Sequence, residues 1–195
     1  MRIHTVTVGP LGTNCYLAWA EGQDSCVAID PGFNSAKILA AIQDQGKRLQ
    51  AILLTHGHFD HVGAVGGLQE ATGCKVYIHP ADLELPGYLT QGEIPATDHY
   101  DENLCIAGLE MKVLHTPGHT PGSVCLICED VIFSGDTLFA LSCGRTDLPG
   151  GSYPEIQKSL KRIADLPGDY RVLPGHGQET TLAMERQGNP YMQGA

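Results

Sequence analysis

The six positions from His56 to His61 constrain this chain more than any other stretch. They read His-Gly-His-Phe-Asp-His and follow the apolar run Ala51-Ile52-Leu53-Leu54 and Thr55. Three imidazoles and a carboxylate this close together suit a borderline metal such as zinc. So short a segment cannot close two metal sites, so the fold must bring further donors to the same place. Three turns after apolar runs offer them, at His119, Asp136 and His176. Pro117-Gly118-His119 and Pro174-Gly175-His176 repeat one turn chemistry, as expected where several strands end around one centre.

Spacing adds detail. His56 and His58 are two apart in extended chain, so their side chains point the same way, and Gly57 lets the backbone turn tightly between them. Asp60 and His61 open a helix and point away from that pair, towards a second metal position.

The surrounding pattern alternates strands and helices. Arg2–Val8, Cys15–Trp19 and Cys26–Ile29 read as strands between Gly, Pro, Asn and Asp turns. Over 34–45, Ile38, Ala41 and Ile42 share a helical face, with Asn34 or Ser35 as cap and Gly46 as stop. Ala51–Leu54 reads as a short buried strand. Asp60–Thr72 reads as one helix, although Gly63, Gly66 and Gly67 each cost roughly 1 kcal/mol there relative to Ala. Lys75–Ile78 is a strand, 81–105 a loop with a short helix, and Met111–His115, Ser123–Cys128 and Val131–Ser134 a strand series. Tyr153–Ala164 is a helix with Ile156, Leu160 and Ile163 on one face, and Arg171–Leu173 a last short strand. This order predicts two sheets covered outside by helices.

Composition narrows the function. The net charge of −10 disfavours a nucleic-acid surface. No apolar run approaches the ~20 residues of a membrane span, and Met1–Ala20 is broken before any signal-peptide core forms. With seven cysteines at irregular spacing, these features predict reduced thiols and a cytoplasmic location. Cys125 and Cys128 match a redox C-x-x-C pattern, but in a strand their offset of three sends them to opposite faces, so they read as buried thiols. Cys143 likewise reads as a buried thiol, in a loop near the site. His4, His79 and His99 read as ordinary histidines and His115 as structural.

Thr55-His56-Gly57-His58-Phe59-Asp60-His61 resembles the H-x-H-x-D-H signature of the metallo-β-lactamase superfamily. His115–Ser123, Phe133–Phe139 and Pro174–Gly177 match its later motifs in order, and Ile29-Asp30-Pro31-Gly32 an earlier one. The resemblance implies an α/β fold, an αββα sandwich of two mixed β-sheets flanked by helices, with a dinuclear site at the sheet edges. It implies that His56, His58 and His119 hold one ion, that Asp60, His61 and His176 hold another, and that Asp136 bridges them. Catalytic roles fall to Asp60 and Asp136, and Asp30 supports a histidine ligand from behind. The cofactors expected are two divalent ions, zinc first, with iron or manganese also compatible.

The segments Gly135–Phe139, Ser142–Arg145, Leu148–Tyr153 and Glu185–Tyr191 are similar to small bacterial glyoxalase II-like enzymes, hydrolases of S-lactoylglutathione. That resemblance implies a small-molecule thioester substrate, cleaved through a metal-bridging hydroxide, and a substrate contact at Arg145. A structural pairing of Arg145 with Asp147 is the competing assignment. Residues 1–195 are expected to form one domain, without the C-terminal helical domain of larger glyoxalases II. Asp147 stands where those enzymes place an aromatic carrier contact, which leaves the thiol carrier open. The alternatives are a persulfide dioxygenase with a single iron on His56, His119 and Asp136, and a lactonase or other acyl hydrolase. A non-enzymatic binding module would need a broken ligand set, and every position is filled.

Overall fold

The computed structural model describes residues 1–193. Its first half runs β1 (Arg2–Val8), β2 (Thr13–Trp19), β3 (Ser25–Ile29), α1 (Ser35–Asp44), β4 (Arg48–Leu53), α2 (Phe59–Val62), α3 (Val65–Thr72) and β5 (Lys75–Ile78). A 3-10 turn (Pro80–Glu84), α4 (Gly87–Thr90) and β6 (Asp98–His99) close it. The second half runs β7 (Asn103–Ile106), β8 (Leu109–His115), β9 (Val124–Cys128), β10 (Val131–Gly135), β11 (Leu138–Phe139), β12 (Ser142–Cys143), α5 (Tyr153–Ala164), β13 (Arg171–Pro174), β14 (Thr180–Thr181) and α6 (Leu182–Gly188).

Strands β1 to β6 form one sheet in sequence order, antiparallel through β3 and parallel from there. The second sheet has the order β14-β13-β10-β9-β8-β7, with only β10 and β13 parallel. Strand alternation builds the layers. Along β3, Cys26 and Ala28 face α1 and α3, whereas Val27 and Ile29 face the second sheet. Along β9, Leu126 and Cys128 face the first sheet while Cys125 and Ile127 pack under α5 and α6. The αββα sandwich therefore has three apolar seams, and the two C-x-x-C thiols lie in different ones.

Helix α1 is capped by Asn34, whose side chain accepts the Lys37 N–H at 3.1 Å. Helix α5 starts with Pro154 in its first turn and buries Ile156, Leu160 and Ile163.

Four expectations change. The helix expected over Asp60–Thr72 is broken between α2 and α3, because Ala64 N–H leaves the helical ladder to donate to Pro31 O at 3.0 Å. A Cβ on Gly63 would sit 2.4 Å from Gly32 O, so glycine is required where the turn at Asp30–Gly32 crosses the helix. The 81–105 stretch contains β6 and most of β7, edge strands too short to show alternation. Arg171–Pro174 is not the last strand: β14 pairs antiparallel with it and leads into α6, capped by the Thr181 hydroxyl accepting Met184 N–H. Cys143 is a half-buried strand residue of the hairpin β11–β12 rather than a loop residue. No helix among the described residues is long and apolar enough to cross a membrane.

Candidate metal centre

Strand ends from both sheets converge on one edge of the sandwich. Asp30 follows β3, and Thr55 to His61 follow β4. From the second sheet, His119 lies between β8 and β9, Asp136 follows β10 and His176 follows β13. Buried strands fix these positions, so the side chains extending from their ends are preorganised.

The donors form two groups. Ligand atoms of His56, His58 and His119 lie within 4.8 Å of one another, as do those of Asp60, His61 and His176. His58 Nδ1 is 2.9 Å from His119 Nε2, and His61 Nε2 is 3.2 Å from His176 Nε2. His176 Nε2 also lies 3.0 Å from Asp60 Oδ2. Asp136 stands between the groups, 3.4 Å from His61 Nε2 and 3.7 Å from both His119 Nε2 and His176 Nε2.

The outward ring nitrogens of four of the five histidines are taken up. His56 Nδ1 meets Thr55 Oγ1 at 3.1 Å, His61 Nδ1 meets Asp30 Oδ2 at 3.0 Å, His119 Nδ1 meets Arg145 O at 2.8 Å and His176 Nδ1 meets Leu11 O at 3.1 Å. Such acceptors hold the proton on the outer nitrogen and leave the inner one free to ligate. His56 Nε2, His58 Nε2 and Asp136 Oδ1 are buried with no hydrogen-bond partner. Buried polar atoms left unpaired are costly, and all three belong to the converging donor set, which therefore fits a cation.

Asp30 belongs behind the centre rather than in it, although it also lies within ligand distance of His56 and His61. Its Oδ1 accepts Thr55 N–H at 2.7 Å, and its Oδ2 accepts the Thr55 hydroxyl at 2.6 Å and faces His61. Both oxygens are therefore engaged. Asp30 adopts a left-handed backbone (φ 50), a conformation Asp tolerates better than most residues. Through Thr55 it reaches His56, and directly it reaches His61, so one carboxylate supports a histidine of each group.

The two groups differ in charge. Burial, then the neighbouring imidazoles, holds His56 well below the usual histidine range and His58 down to about 4. Burial also opposes a proton on His61, but Asp136 and Asp30 outweigh it and raise His61 well above that range. His176 is raised by its bond to Asp60. Burial works against the charge on Asp136 too, yet His61 and its neighbours lower it to about 2.

Beside the donors lies a cavity of about 350 Å³. Leu11, Phe59, Leu89 and Leu148 give it apolar walls, and Arg145 lines it as well. Arg145 pairs with Asp147 through two 2.7 Å contacts between largely exposed side chains. The structural pairing therefore forms, and Arg145 gains a role that its spacing did not suggest, as the carbonyl partner of His119. His115 stacks on His79 with ring centroids 4.2 Å apart, away from the centre.

Residues 8–176 match the family model described as the metallo-beta-lactamase superfamily. The chain is 32% identical to hydroxyacylglutathione hydrolase GloC of Haemophilus influenzae over 98% of both chains. Its structure is similar to that of the B3 metallo-beta-lactamase BLEG-1, with a TM-score of 0.89 and 36% identity over 98% of this chain and 99% of that one. It is also similar to TTHA1623 in a di-iron-bound form, with a TM-score of 0.85 and 43% identity over 96% and 99% of the two chains.

Proposed function

The chain belongs to the metallo-beta-lactamase superfamily, and from that premise we propose that it is a dinuclear metallohydrolase that cleaves a small-molecule thioester of the S-lactoylglutathione type. His56, His58 and His119 would hold one divalent ion, Asp60, His61 and His176 a second, and Asp136 both. Zinc is the first choice of metal, and the di-iron form of a relative 43% identical to this chain supports iron as an alternative. Bound divalent ions supply Lewis acidity and ionise water near neutral pH.

The observation that carries the thioester reading is what the cavity lacks. Apart from the proposed ligands, its lining is Leu11, Phe59, Leu89, Leu148 and Arg145. None of these can protonate a leaving group, since a guanidinium stays charged at any working pH. A thiol, with a reference pKa near 8.5, departs as its anion without an acid, whereas an amide nitrogen needs a proton. The relationship to GloC supports the same class. The convergence of Asp60, His61 and His176 favours two ions over the single iron of a persulfide dioxygenase.

The chain's own residues prepare the reaction. Asp30, Thr55, Leu11 O and Arg145 O orient the imidazoles, which lowers the reorganisation needed at the moment of reaction. Leu11, Phe59 and Leu89 would give the reacting carbonyl apolar walls. The Arg145 guanidinium flanks the cavity, where it would contact a carboxylate of the thiol carrier. The test is hydrolysis of S-lactoylglutathione by zinc-, iron- and manganese-loaded protein. Efficient turnover is expected; none from properly loaded protein would overturn the thioester reading.

A further inference from the structure

Asp82 lies in the 3-10 turn Pro80–Glu84, is fully buried, and makes no hydrogen bond to any metal-ligating side chain among the described residues. Its carboxylate instead gathers three donors from two loops. Oδ2 accepts Gly57 N–H at 2.8 Å and the Thr120 hydroxyl at 2.8 Å, and Oδ1 accepts Gly122 N–H at 2.6 Å. Gly57 stands between His56 and His58, and Thr120 directly follows His119. Thr120 is fastened further, its hydroxyl 2.7 Å from Ser123 Oγ and its N–H donating to that oxygen.

The fit around this carboxylate is close. A Cβ on Gly122 would lie 2.6 Å from Asp82 Oδ1, and one on Gly57 would meet Leu85 Cδ1 and Asp82 O at 3.2 Å. Both loops thus carry glycine where the Asp82 turn approaches. A buried carboxylate is costly unless its lone pairs are satisfied, and charge-assisted hydrogen bonds of this kind are the strong ones.

We infer that Asp82 is a positioning residue for the all-histidine half of the centre, fixing His56 and His58 relative to His119. It makes no such bond to the Asp60–His61–His176 half. The inference rests on the metal-centre part of the proposed function and is independent of the substrate.

Stepwise cobalt(II) binding to the full-length, chelator-stripped protein, followed by visible ligand-field absorption, tests it without any activity assay. Asp82→Asn keeps the size of the side chain, but its NH2 group must face an N–H donor on one side, so one loop loses its acceptor. One of the two binding steps should weaken 10- to 100-fold, the range for groups that orient ligands, with an altered absorption band, while the other step holds. Thr120→Val removes only the hydroxyl link. It should weaken the same step by less, and it carries the test if Asp82→Asn does not fold. Equal weakening of both steps, or none, would overturn the role of Asp82. A parent protein that takes up no cobalt would instead overturn the metal centre itself.

Discussion

His56 and His58 are governed by burial and by the imidazoles around them, whereas His61 and His176 are governed by the carboxylates against them. Burial and mutual repulsion keep the first pair unprotonated at neutral pH. Asp30, Asp60 and Asp136 favour protons on the second pair. Imidazole ligates only through an unprotonated nitrogen, so the all-histidine half is ready for a cation as folded. The mixed half holds protons more strongly, so cation binding there competes with them more. The same residue type thus yields two sites of different character, set by what stands behind and beside each ring.

The largest test of this division removes the residue that both halves share. Asp136→Asn should lower hydrolysis more than about 100-fold, beyond the usual effect of a group that only orients ligands, with circular dichroism and the melting temperature nearly unchanged. His58→Ala should do the same from within one half. Full activity in either purified variant would remove that residue from the centre.

Asp30→Asn sharpens the comparison, because Asp30 supports both halves. Metal retained after dialysis should show both binding steps weakened, by roughly 10- to 100-fold. A loss confined to the half that holds His61 would mean that the Thr55 link to His56 carries nothing.

Acid should separate the halves in the metal-free protein. The folded-state pKa of His58 is lowered from 6.5 to about 4, so the unfolded chain binds the extra proton between those values and stability falls as the pH drops through that window. Between pH 6.5 and 4.5 the loss from His58 alone is about 2 kcal/mol, with His56 adding in the same direction. The raised pKa of His61 has the opposite sign: its contribution is complete below pH 6.5 and fades as the pH rises through its folded value, so it does not offset the loss in acid. Denaturant unfolding at pH 6.5 and 4.5 measures this; a flat profile would contradict the neutral pocket.

The smallest effect expected is at Arg145. Its pair with Asp147 is exposed on both sides, so Arg145→Ala should raise KM about two- to fivefold with little change in kcat. An unchanged KM would leave Arg145 with its carbonyl contact to His119 alone.

The turns that converge on the candidate centre were legible in the sequence because each combines a buried strand with a donor at its exit, and both signals are local. The αββα layering followed from the same alternation, and the opposite faces of Cys125 and Cys128 from strand geometry alone. Asp82 was not legible. It lies in a polar stretch without periodicity, and its partners Gly57, Thr120 and Gly122 are 25 to 40 residues away. Its one local trace is the turn chemistry of His79-Pro80, where the imidazole accepts Ala81 N–H. The break at Gly63 was hidden for a related reason: the carbonyls that cause it belong to Pro31 and Gly32, on another strand exit.

His176 is placed by residues from the opposite end of the chain. Asn14 Nδ2 donates to Pro174 O and Gly177 O, the Tyr16 hydroxyl donates to Pro174 O, and Thr13 bridges to His176 itself. These contacts span about 160 residues. The segment His56–His61 is set by one short stretch of chain after β4, whereas His176 is set by partners from the first strand pair. The centre is therefore closed by both ends of the chain: a change at the start of β2 reaches the metal donors through the backbone of Pro174 and Gly177, without touching a donor itself.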